Sequence, residues 1–385
     1  MSLKVAETEQ KVTSHSETGS GFARGTRVTF IVNGGPKSPM ADRARAFSHL
    51  LGDAYEISIV YRNGNKIGAI REMLRSLRSH RPGVVYVFDI GYSGVLAALL
   101  YRVIGCTRVV VETGDAITAL ARSSGMRSAP GIALTWLLEN LALYASDAVV
   151  VRGTFHQTLL RNKRIAADVI PDGVDTSVFR PLNAGSLRQR HGLEHSLTIG
   201  FVGSCVWSEK LQMCYGWELV EAVRLLKDKP IRGVVIGDGT GLSRLKAACA
   251  QYGIEDKVLF LGRVPFESLP EYLNLIDICL STQTNDIPGQ VRTTGKLPLY
   301  LGCGRYILAT KVGEAAAVLD ESMLIAYTGV KDPTYPAKLA ERIEDLLANP
   351  EPIFDTEART LIAKTRFEYR ELVSKVDAVI RRQLR

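Results

Sequence analysis

Three features of the chain predict an α/β fold of two doubly wound, Rossmann-like domains facing a central cleft. Its 385 residues exceed what one ordinary hydrophobic core organises. From Arg27 onward, β-branched apolar runs alternate with amphipathic stretches, the pattern of a parallel sheet covered on both faces. That alternation breaks once, at PDGVDTSVFRPLNAG, where Pro, Gly, Asp and Asn cluster, and then starts again. The expected organisation is a disordered tail over residues 1–24, a first domain over 25–180, a second over 181–360, and a last helix over 361–385.

In the first domain, RVTFIVNGG reads as a strand entering a glycine turn, followed by a helix over Ala41–Leu51. Strands at Ile57–Tyr61, Val84–Phe88, Arg108–Glu112, Ala148–Arg152 and Ala167–Ile170 alternate with helices at Lys66–His80, Ser93–Ile104 and Gly131–Ala145. The second series has strands at Leu197–Val202, Gly233–Ile236, Val258–Leu261, Ile278–Ser281 and Tyr306–Thr310. Helices are expected at Trp217–Lys227, Leu242–Tyr252, Leu269–Leu275 and Lys296–Leu301, and a further one opening at Gly313. Residues Asp286–Val291 read as loop, and Thr356–Arg385 as a long helical pattern.

Composition narrows the function classes. Hydrophobic residues make up 46% and charged residues 23%, as in soluble globular proteins. The apolar runs Val95–Val111 and Ile132–Val151 are interrupted by Arg102, Arg108, Glu139 and Asp147, so they read as buried helix plus strand rather than membrane spans. The start has no apolar stretch of the secretory kind, and six scattered cysteines never form a C-x-x-C pair; a reducing, cytoplasmic setting is expected. No Asp-x-Asp and no zinc-type spacing occurs, so no metal and no cofactor is expected. The net charge is +8, and residues 1–180 carry 22 Lys+Arg against 15 Asp+Glu, so positive potential belongs to the first half. Aromatics at 7% do not interleave with the basic residues, which argues against nucleic acid. A hydrolase triad lacks its G-x-S-x-G elbow.

Candidate site residues cluster at strand ends. Asp286–Asp320 reads as loop, basic turn, helix, strand and helix; this either brings Arg292 and Lys296 beside two helix N-termini, a setting that suits a phosphate-bearing ligand, or is an ordinary helix–strand–helix unit with solvated cations. Gly34 and Gly35 follow the first strand and either form a tight structural turn or let a phosphate or sugar approach the backbone. Gly203 and Ser204 open the second domain similarly, and Lys210 could fold back over a diphosphate or stay solvated. Asp115 ends a first-domain strand, where it would hold a sugar hydroxyl, orient an acceptor, or cap the next helix. Arg71, Arg75 and Arg78 form a row on helix Lys66–His80. Such a row is usually a solvated face, but one that can rest on an anionic membrane or attract a phosphorylated acceptor.

Several motifs carry a family resemblance. Ile170-Pro171-Asp172-Gly173-Val174-Asp175, with Phe179 and Pro181, resembles the I-P-N-G-V-D…F-x-P linker of family 4 GT-B glycosyltransferases. Gly200–Gly203, Gly237-Asp238-Gly239, Leu261–Pro265, and Lys296-Leu297 through Ala309-Thr310 follow in that family's order. The resemblance covers roughly residues 27–375 and is most specific in the second half. It implies a retaining, metal-independent transferase moving a sugar from a nucleotide-sugar donor to a hydroxyl acceptor that is a glycan, lipid-linked or a small molecule. It places the base near Gly262, Arg263 and Val264, the ribose near Leu299, and the diphosphate near Ser204, Lys210 and Glu314. Gly203, Gly237 and Lys296 complete the donor side, with Asp115, Gly34 and Gly35 on the acceptor side. Phe367-Glu368-Tyr369 resembles the point where the last helix crosses back to the first domain.

Three departures stand out. The family's E-x7-E pair is absent, with Val291 and Leu299 at its positions; Ser204 replaces a common Arg; and Thr113-Gly114-Asp115 stands about where a first-domain histidine is usual. These leave two alternatives, a non-catalytic sugar-nucleotide or glycan binder and a sugar-nucleotide epimerase. Peripheral contact with the inner membrane face is a further expectation from the basic row.

Overall fold

The computed structural model describes residues 25–125 and 127–385; the tail expected over 1–24 lies outside the described residues. Two six-stranded sheets form, each wholly parallel. The first contains β1 (Arg27–Val32), β2 (Glu56–Tyr61), β3 (Val84–Phe88), β4 (Arg108–Thr113), β5 (Ala148–Val151) and β6 (Asp168–Val169) in the order β2-β1-β3-β4-β5-β6. The second contains β7 (Leu197–Val202), β8 (Ile231–Ile236), β9 (Val258–Gly262), β10 (Ile278–Ser281), β11 (Tyr306–Thr310) and β12 (Leu324–Ile325) in the order β12-β11-β10-β7-β8-β9. In each sheet the order reverses once, between β1 and β3 and between β7 and β10. Loops at such a reversal splay apart and leave a crevice at the strands' carboxyl ends.

Strand burial explains why the alternation was readable. All five residues of β3, and all but the first of β1, are buried, because helices cover both faces. One face of the first sheet packs under Met73, Leu77, Ala97, Ala98, Ala142, Leu143 and Leu160. The other packs under Ala41, Ala44 and Phe47 of helix Pro39–Leu51, and under Leu372, Val376, Val379 and Ile380.

Those last four residues belong to helix Tyr369–Leu384, so the chain returns to its first lobe. The tail is not one continuous helix. After Glu357–Ile362 and a π turn at Ala363–Phe367, Glu368 adopts extended backbone (φ −61°, ψ 129°). The break is pinned to the linker: the Val174 amide donates to Phe367 O at 2.8 Å, and the Tyr369 amide to Val174 O at 3.2 Å. The Glu368 carboxylate accepts from the Thr176 amide at 2.9 Å. A π turn and a lost helical residue cost local hydrogen bonds, and the linker supplies replacements.

Helix Ile287–Val291 forms where loop was expected; Asp286 caps it, accepting from the Gly289 amide at 3.0 Å, and Pro288 sits in its first turn. Helices Thr154–Asn162 and Gly185–Arg190 are likewise additions to the sequence reading. Five of the six cysteines are buried free thiols; Cys106 is exposed.

Candidate active site in the interlobe cleft

Three of the proposed donor-side glycines line up on adjacent strands. Gly203, Gly237 and Gly262 end β7, β8 and β9, and the Gly203 amide donates to Ile236 O and the Gly237 amide to Gly262 O. Gly203 (φ 153°) and Gly237 (φ 144°) occupy backbone that favours glycine. A Cβ on Gly237 would stand 1.8 Å from Gly203 O, so the two turns interlock. Gly237→Ala is therefore expected to lower stability by about 3 kcal/mol, the range of strained or overpacked sites. Urea unfolding would read it, and a loss below about 1 kcal/mol would show that the turns separate freely.

Lys296, at the start of helix Lys296–Gly302, reaches this row, with Nζ 3.6 Å from the point where a Gly203 Cβ would be. The ammonium lies over the rings of Tyr215 (5.6 Å) and Phe201 (6.0 Å) and makes no ion pair among the described residues. Burial pushes its pKa below the usual lysine value, against the pull of the Glu218 carboxylate. Burial also raises Glu218, which accepts from the Gly216 amide at 3.1 Å. An unpaired, partly desolvated cation beside a row of glycine turns is suited to an anion.

The other proposed cations cross to the first lobe. Arg292 Nε donates to Asp115 Oδ1 at 3.0 Å, and Lys210 Nζ donates to Ser123 O at 2.6 Å. Ser123 Oγ in turn donates to Asp286 at 3.0 Å, so three contacts stitch residues 115–123 to the second lobe. Glu314 Oε2 accepts from the Thr154 amide at 2.8 Å and from its hydroxyl at 3.1 Å, which caps a first-lobe helix. Arg292, Thr293, Glu314, Gln283 and Asp172 line one pocket at the floor of the cleft. Gln283 Oε1, in that lining, is buried without a partner among the described residues.

Asp115 does not cap the following helix, which corrects one of its expected roles. Helix Ile117–Ser124 begins after Ala116, and its first amides are served by Glu139, which accepts from Ile117 N at 2.7 Å and Thr118 N at 3.1 Å. With that task taken, Asp115 is free to point into the cleft. Ser204 is exposed and makes no hydrogen bond among the described residues. Gly34 packs against Ser38, and Gly35 is open. Arg263 is exposed at the rim, with Val264 half-buried beside it. Leu299 faces a separate groove with Phe179, Phe266 and Glu368.

Sequence reading missed the charged network beneath the acceptor side. Glu112, fully buried, accepts from Arg43 Nε (2.9 Å), Arg152 Nε (3.1 Å) and Tyr86 OH (2.8 Å). Arg43 also donates to the linker carbonyls of Pro171 (2.6 Å) and Ile170 (2.9 Å). Arg152 pairs with Asp89 and lies 3.7 Å from Asp172, whose other oxygen accepts from Thr293 of the second lobe at 2.9 Å. Asp89 has φ 62°, an uncommon conformation for a non-glycine residue, at the end of β3 in the cleft. Among the described residues, no group of three or more His, Cys, Asp or Glu could hold a metal ion.

Two facing parallel-sheet lobes with a phosphate-suited crevice between them define the architecture of this protein, a GT-B fold. Its fold matches Anabaena HepE in complex with UDP (TM-score 0.72, 14% identity, 92% of this chain and 99% of that one). It also matches sucrose-phosphate synthase from Thermosynechococcus elongatus (TM-score 0.74, 13% identity, 93% and 99%). Residues 196–349, within the second lobe, match the family model described as Glycosyl transferases group 1. A 2-deoxystreptamine glucosyltransferase from Streptomyces kanamyceticus is 29% identical over 196 residues, 48% of this chain and 46% of the relative. A D-inositol 3-phosphate glycosyltransferase from Acidothermus cellulolyticus is 29% identical over 194 residues, 46% and 40%. The chain thus spans less than half the length of these curated relatives.

Proposed function

We propose that this protein is a glycosyltransferase that takes a sugar from a nucleotide-sugar donor and passes it to a hydroxyl acceptor. The observation that carries the reading is the unpaired Lys296 ammonium beside the interlocked turns of Gly203 and Gly237, with Arg292 held across the cleft by Asp115. In this reading the diphosphate lies over the glycine row, Lys296 and Arg292 offset the charge that develops as it leaves, and Asp115 receives the acceptor hydroxyl. Lys210 closes over the phosphates from the loop after β7. Retention at the anomeric carbon and independence of metal belong to the same proposal, with no metal-bound step invoked. Proximity and fixed charge supply the acceleration. A glycan, a lipid-linked sugar or a small molecule would serve as acceptor.

UDP is the first nucleotide to test, because HepE was solved with UDP and with UDP-glucose. A ligand held at 100 times its Kd stabilises a folded protein by about 2.7 kcal/mol. UDP or a UDP-sugar at such an excess is expected to raise the melting temperature, with the rise reduced in Lys210→Ala. A screen of UDP, GDP, ADP, CMP and dTDP sugars without any shift would refute the donor site. Leu299 favours a second reading. A leucine cannot accept from ribose hydroxyls, so a non-catalytic sugar-nucleotide binder would show the shift but neither hydrolysis nor transfer to any acceptor.

A further inference from the structure

On the face of the first sheet away from helix Pro39–Leu51, four helices lie side by side: Lys66–His80, Tyr92–Gly105, Ala129–Ala145 and Thr154–Asn162. The inner two expose large apolar side chains: Leu100, Val103 and Ile104 on one, and Leu134, Trp136, Leu137, Leu141 and Tyr144 on the other. Val103 is 83% exposed and Trp136 53%. An open apolar groove lined by Leu96, Leu99, Leu100 and Leu141 runs between them.

Helix Ala129–Ala145 is apolar around nearly its whole circumference. Its polar residues are turned away from use at the surface: Thr135 and Glu139 are buried, and the Asn140 amide folds back to donate to Trp136 O at 2.7 Å. A helix of this composition ordinarily has apolar surroundings on every side. Here one side meets solvent, and a contiguous patch of this kind marks an interaction surface.

The outer two helices frame the patch with positive charge. Arg71, Arg75 and Arg78 are exposed on one border, and Arg161, Lys163 and Arg164 on the other. None of these six side chains has an ion pair or hydrogen bond among the described residues. On the four helices the one exposed acid is Glu72. Apolar centre, amphipathic Trp and Tyr, and unpaired cations on two borders match a bilayer surface in each part: acyl region, interface and anionic headgroups.

We propose that this face docks flat on a bilayer containing anionic phospholipid. A second copy of the chain would fit less well, since its own borders are equally cationic and offer no acidic complement. Among the described residues no helix is long and apolar enough to cross a membrane, so the contact proposed is interfacial. The proposal is independent of the reaction assigned above.

Vesicle co-sedimentation tests it, using phosphatidylcholine alone and phosphatidylcholine with phosphatidylglycerol in equal parts. The full chain is expected to bind the mixed vesicles far better, and added salt to weaken that binding. Trp136 emission should shift to the blue, and Trp136→Phe should remove the shift. Replacing Arg71, Arg75 and Arg78 together by Gln should weaken partitioning roughly 100-fold at low salt. Val103→Ser with Leu137→Ser should abolish it while leaving the melting temperature unchanged, since both side chains are exposed. Absence of binding at low salt, or undiminished binding by that double variant, would overturn the proposal. So would a dimer in sedimentation velocity that the double variant dissociates, which assigns the face to a second copy.

Discussion

Glu112→Ala is expected to lower unfolding stability by about 3–5 kcal/mol, the cost of removing one partner from a buried ion network. The carboxylate has no solvent access and satisfies Arg43, Arg152 and Tyr86 at once. Without it, two guanidinium groups remain desolvated and repel each other. The damage would not stay local, because Arg43 also holds the carbonyls of Ile170 and Pro171 at the entry to the linker. Urea unfolding monitored by circular dichroism would measure the loss. Glu112→Gln, which keeps an acceptor oxygen and the volume, should retain part of it. A loss under about 1 kcal/mol for the alanine variant would show that water already reaches the network.

Arg292→Ala is expected to reduce transfer by a factor of about 10²–10³, the range for deleting one charge-stabilising group at a reacting centre. Its guanidinium is 35% exposed, so stability should change little. The ion pair with Asp115 adds a second, opposite expectation. In this structure Asp115 occupies Arg292 as a phosphate oxygen would. Asp115→Asn should therefore tighten UDP binding by about three- to fivefold, the modest worth of a partly exposed pair. The same variant should slow transfer, because the acceptor loses its carboxylate. Titration calorimetry with UDP and a steady-state transfer assay separate the two effects. UDP affinity unchanged in Asp115→Asn would mean that Arg292 does not meet the phosphates.

Most strands were legible because their burial on both faces demands unbroken apolar runs, and the glycine row was legible because strand-end turns need positive φ. Short helices were not. Ile287–Val291 depends on Asp286 capping and a proline in the first turn, signals also typical of loops. Pairings distant in sequence were invisible as well: Arg43 meets Glu112 across 69 positions. The dual promise of Asp115 could be resolved only in three dimensions, because Glu139, 22 residues after the first residue of the helix it caps, takes over the amides that an aspartate would serve. Leu299, expected near the ribose, lines the groove with Phe179 and Phe266 instead, a placement set by helix packing that the motif spacing does not carry.

The crossover at Glu368 has a consequence for assembly. Tyr55 in the first lobe donates to Asp377 at 2.6 Å across 322 positions of chain, and Leu372, Val376 and Ile380 fill the same layer. During synthesis the amino-terminal lobe therefore waits, one side unsealed, until the entire second lobe has emerged. A ribosome that stops before Leu372 would leave the part of that apolar face not roofed by helix Pro39–Leu51 open to proteases.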